Sequence, residues 1–232
     1  MAIIGIIGAM EEEIALFKSK LNIITAKNIV DVDFYVGTLA DCNVVLARSG
    51  IGKVNAAICA QVLIDKYGAD MIINVGVAGG LSPNVHIGDI VISSDVVQHD
   101  FDTTVFGDEP GMIPRMNRKY FAADETLINK ASAAAREVCL DKRVVIGRIA
   151  SGDQFISSSE QKERIVSTFS AVCAEMEGAA IGHVCTLNRI PFVIIRSISD
   201  AADEKADTTF EEFAAEAAKT AAALVESLIK SL

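Results

Sequence analysis

The chain has 232 residues, 51% of them hydrophobic and 22% charged, with a formal net charge of −10. That length fits one large domain, residues 1–232, and the acidity excludes a phosphate-backbone partner, because nucleic-acid binders present a basic face. No stretch reaches the ~18–20 apolar residues that span a bilayer, and the start of the chain has no basic n-region and runs into three glutamates, which reads as a cytoplasmic protein.

An apolar, β-branched run at residues 3–7 predicts a first strand, followed directly by a helix over 11–21. Their junction is Gly8-Ala9-Met10-Glu11-Glu12-Glu13. Runs at 33–39 and 43–48 leave little room for a helix between them and read as an antiparallel pair. A helix over 54–67 and strands over 71–75 and 89–93 follow. Residues 102–114 are rich in Gly and Pro and poorly periodic, yet they contain Phe106, Met112 and Ile113. The second half alternates a helix over 124–140, a strand over 143–149, a helix over 159–169, a strand over 171–174, a helix over 178–188 and a strand over 192–197. The final helix, over 210–229, places Phe210, Phe213, Ala217, Ala221, Leu224 and Leu228 on one face. Thr209 and Glu212 offer a capping box at its start. Strands apolar throughout and separated by helices imply an α/β fold: a three-layer sandwich whose mixed, mainly parallel sheet is covered by helices on both faces. The five cysteines form no C-x-x-C pair, and with three histidines the chain offers no metal-site spacing. Buried free thiols are expected, and neither a metal nor a cofactor.

Acidic groups stand at three strand-to-helix junctions: Glu11–Glu13, Ala174-Glu175-Met176-Glu177-Gly178, and Arg196-Ser197-Ile198-Ser199-Asp200. In an open α/β sheet the carboxyl ends of strands converge on one crevice, where two carboxylates in different environments can divide acid and base roles. Helix N-termini also favour acids for purely local reasons, which is the competing explanation for Glu11–Glu13. Three glycine-bearing loops accompany the acids. Gly76-Val77-Ala78-Gly79-Gly80 lets the backbone approach a ligand closely. Gly50-Ile51-Gly52-Lys53 lacks the third glycine of a dinucleotide fingerprint and, with Ala47, fails the P-loop pattern. Ser151-Gly152-Asp153-Gln154-Phe155-Ile156 supplies the third loop.

Taken in order, Gly-Ala-Met-Glu-Glu-Glu (8–13), Ser-Gly-Ile-Gly-Lys (49–53), Ser-Gly-Asp-Gln-Phe-Ile (151–156), Glu-Met-Glu (175–177) and Arg-Ser-Ile-Ser-Asp (196–200) resemble the bacterial 5′-methylthioadenosine/S-adenosylhomocysteine nucleosidases of the nucleoside phosphorylase fold. The resemblance implies hydrolysis of a purine N-glycosidic bond in methionine salvage and the activated methyl cycle, without cofactor or metal. It implies Glu13 as general base, Asp200 as general acid, and Glu177, flanked by Met176, as the grip on the ribose hydroxyls. Phe155 is implied to stack on the purine and the backbone of Ile156 to read its edge. Arg196 and Glu175 resemble the family's supporting pair near the water, and Ala78, Gly79 and Ser199 fall on the substrate-facing walls. Ala9, Met10, Ile51, Phe210 and, from the neighbour in a homodimer, Phe106 and Pro114 fall on the pocket for the 5′-thio substituent. Many relatives carry Ser or Thr where this chain has Val77.

Three rivals stand beside this reading: a phosphorylase of the same fold, a futalosine hydrolase, and a nucleoside-binding module without chemistry. Related phosphorylases carry Arg-Val-Gly where this chain has Asn74-Val75-Gly76, and the glutamates of the first loop would repel a phosphate dianion. An AMP hydrolase would need a basic group at the 5′ end, which Met10 and Phe210 do not supply.

Overall fold

The computed structural model describes residues 2–232, and in it ten strands form one mixed sheet. Its first part runs β1 (Ile3–Gly8), α1 (Glu11–Lys20), β2 (Asn22–Ile29), β3 (Val32–Leu39), β4 (Cys42–Arg48), α2 (Lys53–Tyr67), β5 (Met71–Gly80) and β6 (Ile90–Gln98). After a short 3₁₀ turn at Thr104–Phe106 come β7 (Tyr120–Ala122), α3 (Glu125–Val138), β8 (Val144–Ser151), α4 (Ser159–Phe169), β9 (Cys173–Glu175), α5 (Gly178–Asn188), β10 (Phe192–Asp200) and α6 (Ala206–Ser231).

Two apolar layers sandwich the sheet, as the buried strands β1, β5 and β10 require. On one face Ala56, Cys59 and Leu63 of α2 pack with Ala179, Ile181 and Cys185 of α5. On the other, Ile14 and Phe17 of α1 meet Leu127 and Ala131 of α3 and Leu224, Val225 and Leu228 of α6. Residues Ile165 and Phe169 of α4 close a third cluster. All five cysteines are free; Cys59, Cys139, Cys173 and Cys185 are buried and Cys42 is half-buried. Among the described residues no helix is long and apolar enough to cross a membrane.

The sheet is mixed but not mainly parallel. Parallel pairs (β1–β4, β1–β5, β5–β10, β6–β8, β8–β9) are matched by antiparallel ones (β6–β10, β2–β3, β3–β4, β5–β9, β6–β7). Strands β5, β10, β6, β8 and β9 pair in a closed ring, and β1, β4, β3 and β2 extend from β5 outside it. The strand β5 therefore changes neighbours along its length. Its first half pairs with β1 as far as Ile7↔Asn74, and its end pairs with β9 from Gly79↔Ala174. Between them the backbone of residues 75–78 has no strand on that side, which opens the sheet at the C-terminal ends of β1 and β9. The expected capping box of α6 is absent. The helix begins at Ala206, and Thr209 Oγ1 donates to Lys205 O (2.9 Å) within its first turn.

Candidate active site

A cavity of about 360 Å³ lies at this opening. The end of β1 and start of α1 supply Ala9, Met10 and Glu13; the second half of β5 supplies Val77, Ala78 and Gly79. Residues Ala174, Glu175, Met176 and Glu177 enter from β9, Ser199 and Asp200 from β10, and Ile51, Phe155 and Phe210 from flanking loops and α6.

Of the three glutamates that open α1, two fit the helix-terminus explanation. Glu11 and Glu12 are exposed, and Glu11 pairs with Lys18 (3.2 Å). Glu13 is different. It is 4% exposed, and its carboxylate accepts three backbone N–H bonds: Oε2 from Ala9 (2.7 Å) and Met10 (3.0 Å), and Oε1 from Val77 (3.1 Å). The Val77 N–H is free to donate because β1 has ended and β9 has not begun. Burial pushes the Glu13 carboxyl above its usual range, against the opposing pull of Arg196 and these N–H groups. Gly76 is what allows the approach, since a Cβ there would lie 2.4 Å from Glu13 Oε1.

Asp200 ends β10, 2% exposed. Its Oδ1 accepts from Ala202 N (2.8 Å) and its Oδ2 from Ser199 Oγ (2.9 Å). Burial raises its pKa despite those two donors. A Cβ on Gly79 would stand 2.7 Å from Asp200 Oδ1. The two glycines of the β5 cluster thus make room for two different carboxylates.

Glu175 anchors the wall between them. Its Oε2 accepts from Glu177 N (3.1 Å), Gly178 N (2.8 Å) and Arg196, and its Oε1 accepts from Ser151 Oγ, which itself accepts from Ala179 N (2.7 Å). This carboxylate caps α5 in place of an N-cap side chain. Arg196 is buried behind the cavity wall rather than lining it. It also donates to Asn74 Oδ1 (2.6 Å) and Ile195 O (3.1 Å), and Asn74 in turn donates to Ile7 O (2.9 Å). Burial would lower the guanidinium pKa, but Glu175, Glu13 and Glu177 outweigh it and raise it. Glu177 accepts from Gly52 N (2.9 Å). Burial and the neighbouring Glu175 push its carboxyl up to about 8.

Phe155 stands edge-on to Phe210, ring centres 5.8 Å apart, over the cavity mouth. Ile156 lies in an adjoining recess with Gln154, Phe155, Met176 and Asp200. Phe106 and Pro114 are not brought to this chain's cavity. Both are exposed, Phe106 by 84%. Sequence reasoning passed over the parts played by Ser151, Asn74, Gly52 and the Val77 backbone. Ser151 and Gly52 stand inside quoted motifs, but nothing in a sequence signals that an N–H will be left without a strand partner.

The chain matches the model of the phosphorylase superfamily over residues 3–230. It is 46% identical to the 5′-methylthioadenosine/S-adenosylhomocysteine nucleosidase of Staphylococcus epidermidis, over 99% of this chain and 100% of that one. Its fold is similar to a crystal structure of the corresponding nucleosidase of Neisseria meningitidis in complex with methylthio-immucillin-A (TM-score 0.96, 43% identity, 100% of both chains). It is also similar to the futalosine hydrolase of Helicobacter pylori (TM-score 0.95, 34% identity, 100% of this chain and 98% of that one). With the same ordered motifs converging on one cavity, the chain belongs to the phosphorylase superfamily and, within it, to the methylthioadenosine/adenosylhomocysteine nucleosidases.

Proposed function

We propose that this chain, as a single domain, hydrolyses the N-glycosidic bond of 5′-methylthioadenosine and S-adenosylhomocysteine, and of 5′-deoxyadenosine, releasing adenine and the 5-substituted ribose. The observation that carries the reading is the pair of separately held, buried carboxylates, Glu13 and Asp200, on one cavity. Their glycine seats, Gly76 and Gly79, are three residues apart on β5, roughly 10 Å at the rise of a strand.

Glu13 takes the proton of the attacking water as its oxygen bonds to the anomeric carbon. The bond from that carbon to the purine N9 breaks, and Asp200 supplies a proton at N7, so the purine leaves neutral. Raised pKa values suit both roles: an acid must hold its proton near neutral pH, and a base must want one. Glu177 grips the ribose hydroxyls and Phe155 stacks on the base. Met10, Ile51 and Phe210 favour an uncharged thioether at the 5′ position, at about 0.8 kcal/mol per methylene buried. In this reading the protein is a cytoplasmic homodimer whose neighbour completes the 5′ pocket with Phe106 and Pro114.

The test is adenine release from methylthioadenosine, adenosylhomocysteine, 5′-deoxyadenosine, adenosine, AMP and futalosine, with and without phosphate. The first three are expected to be cleaved without phosphate, and Asp200→Asn or Glu13→Gln to lower kcat at least ~10²-fold. A preference for futalosine would transfer the chain to the hydrolase it also resembles. A requirement for phosphate would make it a phosphorylase.

A further inference from the structure

Three residues outside the cavity close a ring that joins two of its walls. The backbone N–H of Lys53, at the start of α2, donates to Asp153 Oδ1 (2.8 Å). The backbone N–H of Asp153 donates to Asp100 Oδ2 (2.9 Å), and the Lys53 ammonium returns to Asp100 Oδ1 (2.6 Å) and also reaches Gln98 Oε1 (3.2 Å). Each member belongs to a different segment of the chain. Lys53 follows Gly52, whose N–H holds the Glu177 carboxylate. Asp153 precedes Phe155 by two residues, and Asp100 follows β6. The side chains of Lys53 and Asp100 are each only 16% exposed, so solvent screens this pair less than an open surface pair. Asp100 is held below its ordinary range, because the contacts from Lys53 and Asp153 outweigh its burial.

The surroundings leave little slack. Gly52 has φ +98°, and a Cβ there would press within 3.1 Å of Asp153 Oδ1. On the far side, Gly152 sits so tightly against His99 that a Cβ would lie 2.4 Å from its Nε2. The His99 ring is buried, with no partner on either nitrogen among the described residues. Neither glycine therefore leaves room for a side chain beside the Asp153 loop, and the ring of hydrogen bonds ties that loop to α2 and to the residues after β6.

We propose that Lys53, Asp100 and Asp153 form a positioning latch that fixes the Phe155 loop relative to the Gly52–Glu177 contact. The inference rests on the proposed reaction for its kinetic consequence: an intact nucleoside must reach Glu177 with its ribose and Phe155 with its base at once. Free adenine touches only the second and follows it if it shifts. The ring is made of this chain's own groups and needs no atom of the substrate, so it spaces the two contacts independently of binding.

The experiment compares wild type with Lys53→Met, Asp100→Asn and Lys53→Arg. In Lys53→Met and Asp100→Asn, kcat/KM for methylthioadenosine is expected to fall ~10–100-fold, the range for misplacement of about 1 Å. The Kd for adenine should change less than ~3-fold, because adenine spans no loop pair, and Lys53→Arg should recover most of the loss by keeping a cation beside Asp100. Equal losses for adenine and nucleoside, or wild-type kcat/KM in Lys53→Met, overturn the latch. Hydrogen exchange at residues 153–155 reads the same ring without catalysis. It should accelerate at least ~10-fold in Lys53→Met, because the Asp100 carboxylate that accepts the Asp153 N–H loses the ammonium that holds it in place, and unchanged exchange overturns the proposal. An inactive wild type whose exchange still responds to Lys53→Met condemns the proposed reaction and leaves the latch standing.

Discussion

Replacing Gly76 with alanine adds one methyl group directly beneath the proposed base. Gly76 is outside the left-handed region, so its backbone accepts alanine. The new Cβ would lie 2.4 Å from Glu13 Oε1 and 3.0 Å from its Cδ, whereas ordinary contact begins at 3.4 Å. The carboxylate must therefore retreat by roughly 1 Å, a shift that close-packed interiors transmit rather than absorb. It cannot do so freely, because bonds of 2.7, 3.0 and 3.1 Å hold it to three backbone N–H groups. Loss of one such charged bond costs about 1.5–3 kcal/mol, so Tm should fall by roughly 3–12 °C at about 2–4 °C per kcal/mol for a domain of this size. Misplacement by about 1 Å should lower kcat by ~10²-fold, near 2.7 kcal/mol of barrier. The assay is adenine release with a melting curve beside it. Gly80→Ala serves as control, because its Cβ would meet nothing closer than 3.3 Å. The Gly76 effect should also vanish in a Glu13→Gln background, as it must if it acts through that carboxylate. Gly76→Ala with kcat within about 3-fold of wild type, or a loss that persists without Glu13, refutes the reasoning.

Two further outcomes follow from the site. The Glu177 carboxyl, raised from 4.5 to about 8, holds its proton more tightly folded than unfolded. Its contribution to stability is therefore complete below pH 4.5 and is lost as pH rises through 8. Glu177→Gln should gain Tm relative to wild type progressively across that window, and parallel Tm–pH curves would rule the shift out. Phe106 is 84% exposed in one chain, and if it enters a neighbour's pocket, Phe106→Ala should raise KM for methylthioadenosine about 10-fold without lowering Tm of the monomer unit. A monomeric mass in solution with full activity would overturn the dimer.

Much of this architecture was legible in the sequence, because strands buried on both faces must read as apolar runs. The starts of β1, β5, β8 and β10 fall where β-branched runs begin. Their ends were less visible. Strand β5 reads as 71–75 but continues to Gly80, and β6 reads as 89–93 but continues to Gln98. The added stretches mix glycines and polar groups with Val77, Ala78, Val96 and Val97, and pair because β9, β10 and β8 lie alongside. Strand β2 was missed because every residue of Asn22–Asn28 is exposed, leaving no alternation to detect. Strand β7 spans only Tyr120–Ala122. The sheet was read as mainly parallel because register cannot be seen in composition, and β6–β10 and β5–β9 are antiparallel. For the site, acidic residues at strand ends named the right loops, but only burial separates Glu13 from the exposed Glu11 and Glu12.

The charge distribution also bears on which nucleophile the cavity can admit. Phosphate needs cationic or N–H donors left uncommitted. Lys53 is engaged by Asp100 and Gln98, and Lys162 donates to Ala201 O (2.6 Å). The amides around Glu13 are already bonded to its carboxylate. Arg196 is shared among Glu175, Asn74 and Ile195, and only its Nε has no protein partner. That Nε lies behind the cavity wall with the rest of the guanidinium, so these groups leave the several oxygens of a dianion unsatisfied. An anion entering beside an ionised Glu13 would meet like charge at about 4 kcal/mol at 4 Å, for an effective dielectric near 20. The same field has the opposite sign for a ribosyl group that gains positive charge as its bond to the purine breaks. The Glu13 carboxylate that repels phosphate therefore also favours the transition state of hydrolysis, so exclusion of the rival nucleophile and stabilisation of the reacting sugar arise from one residue.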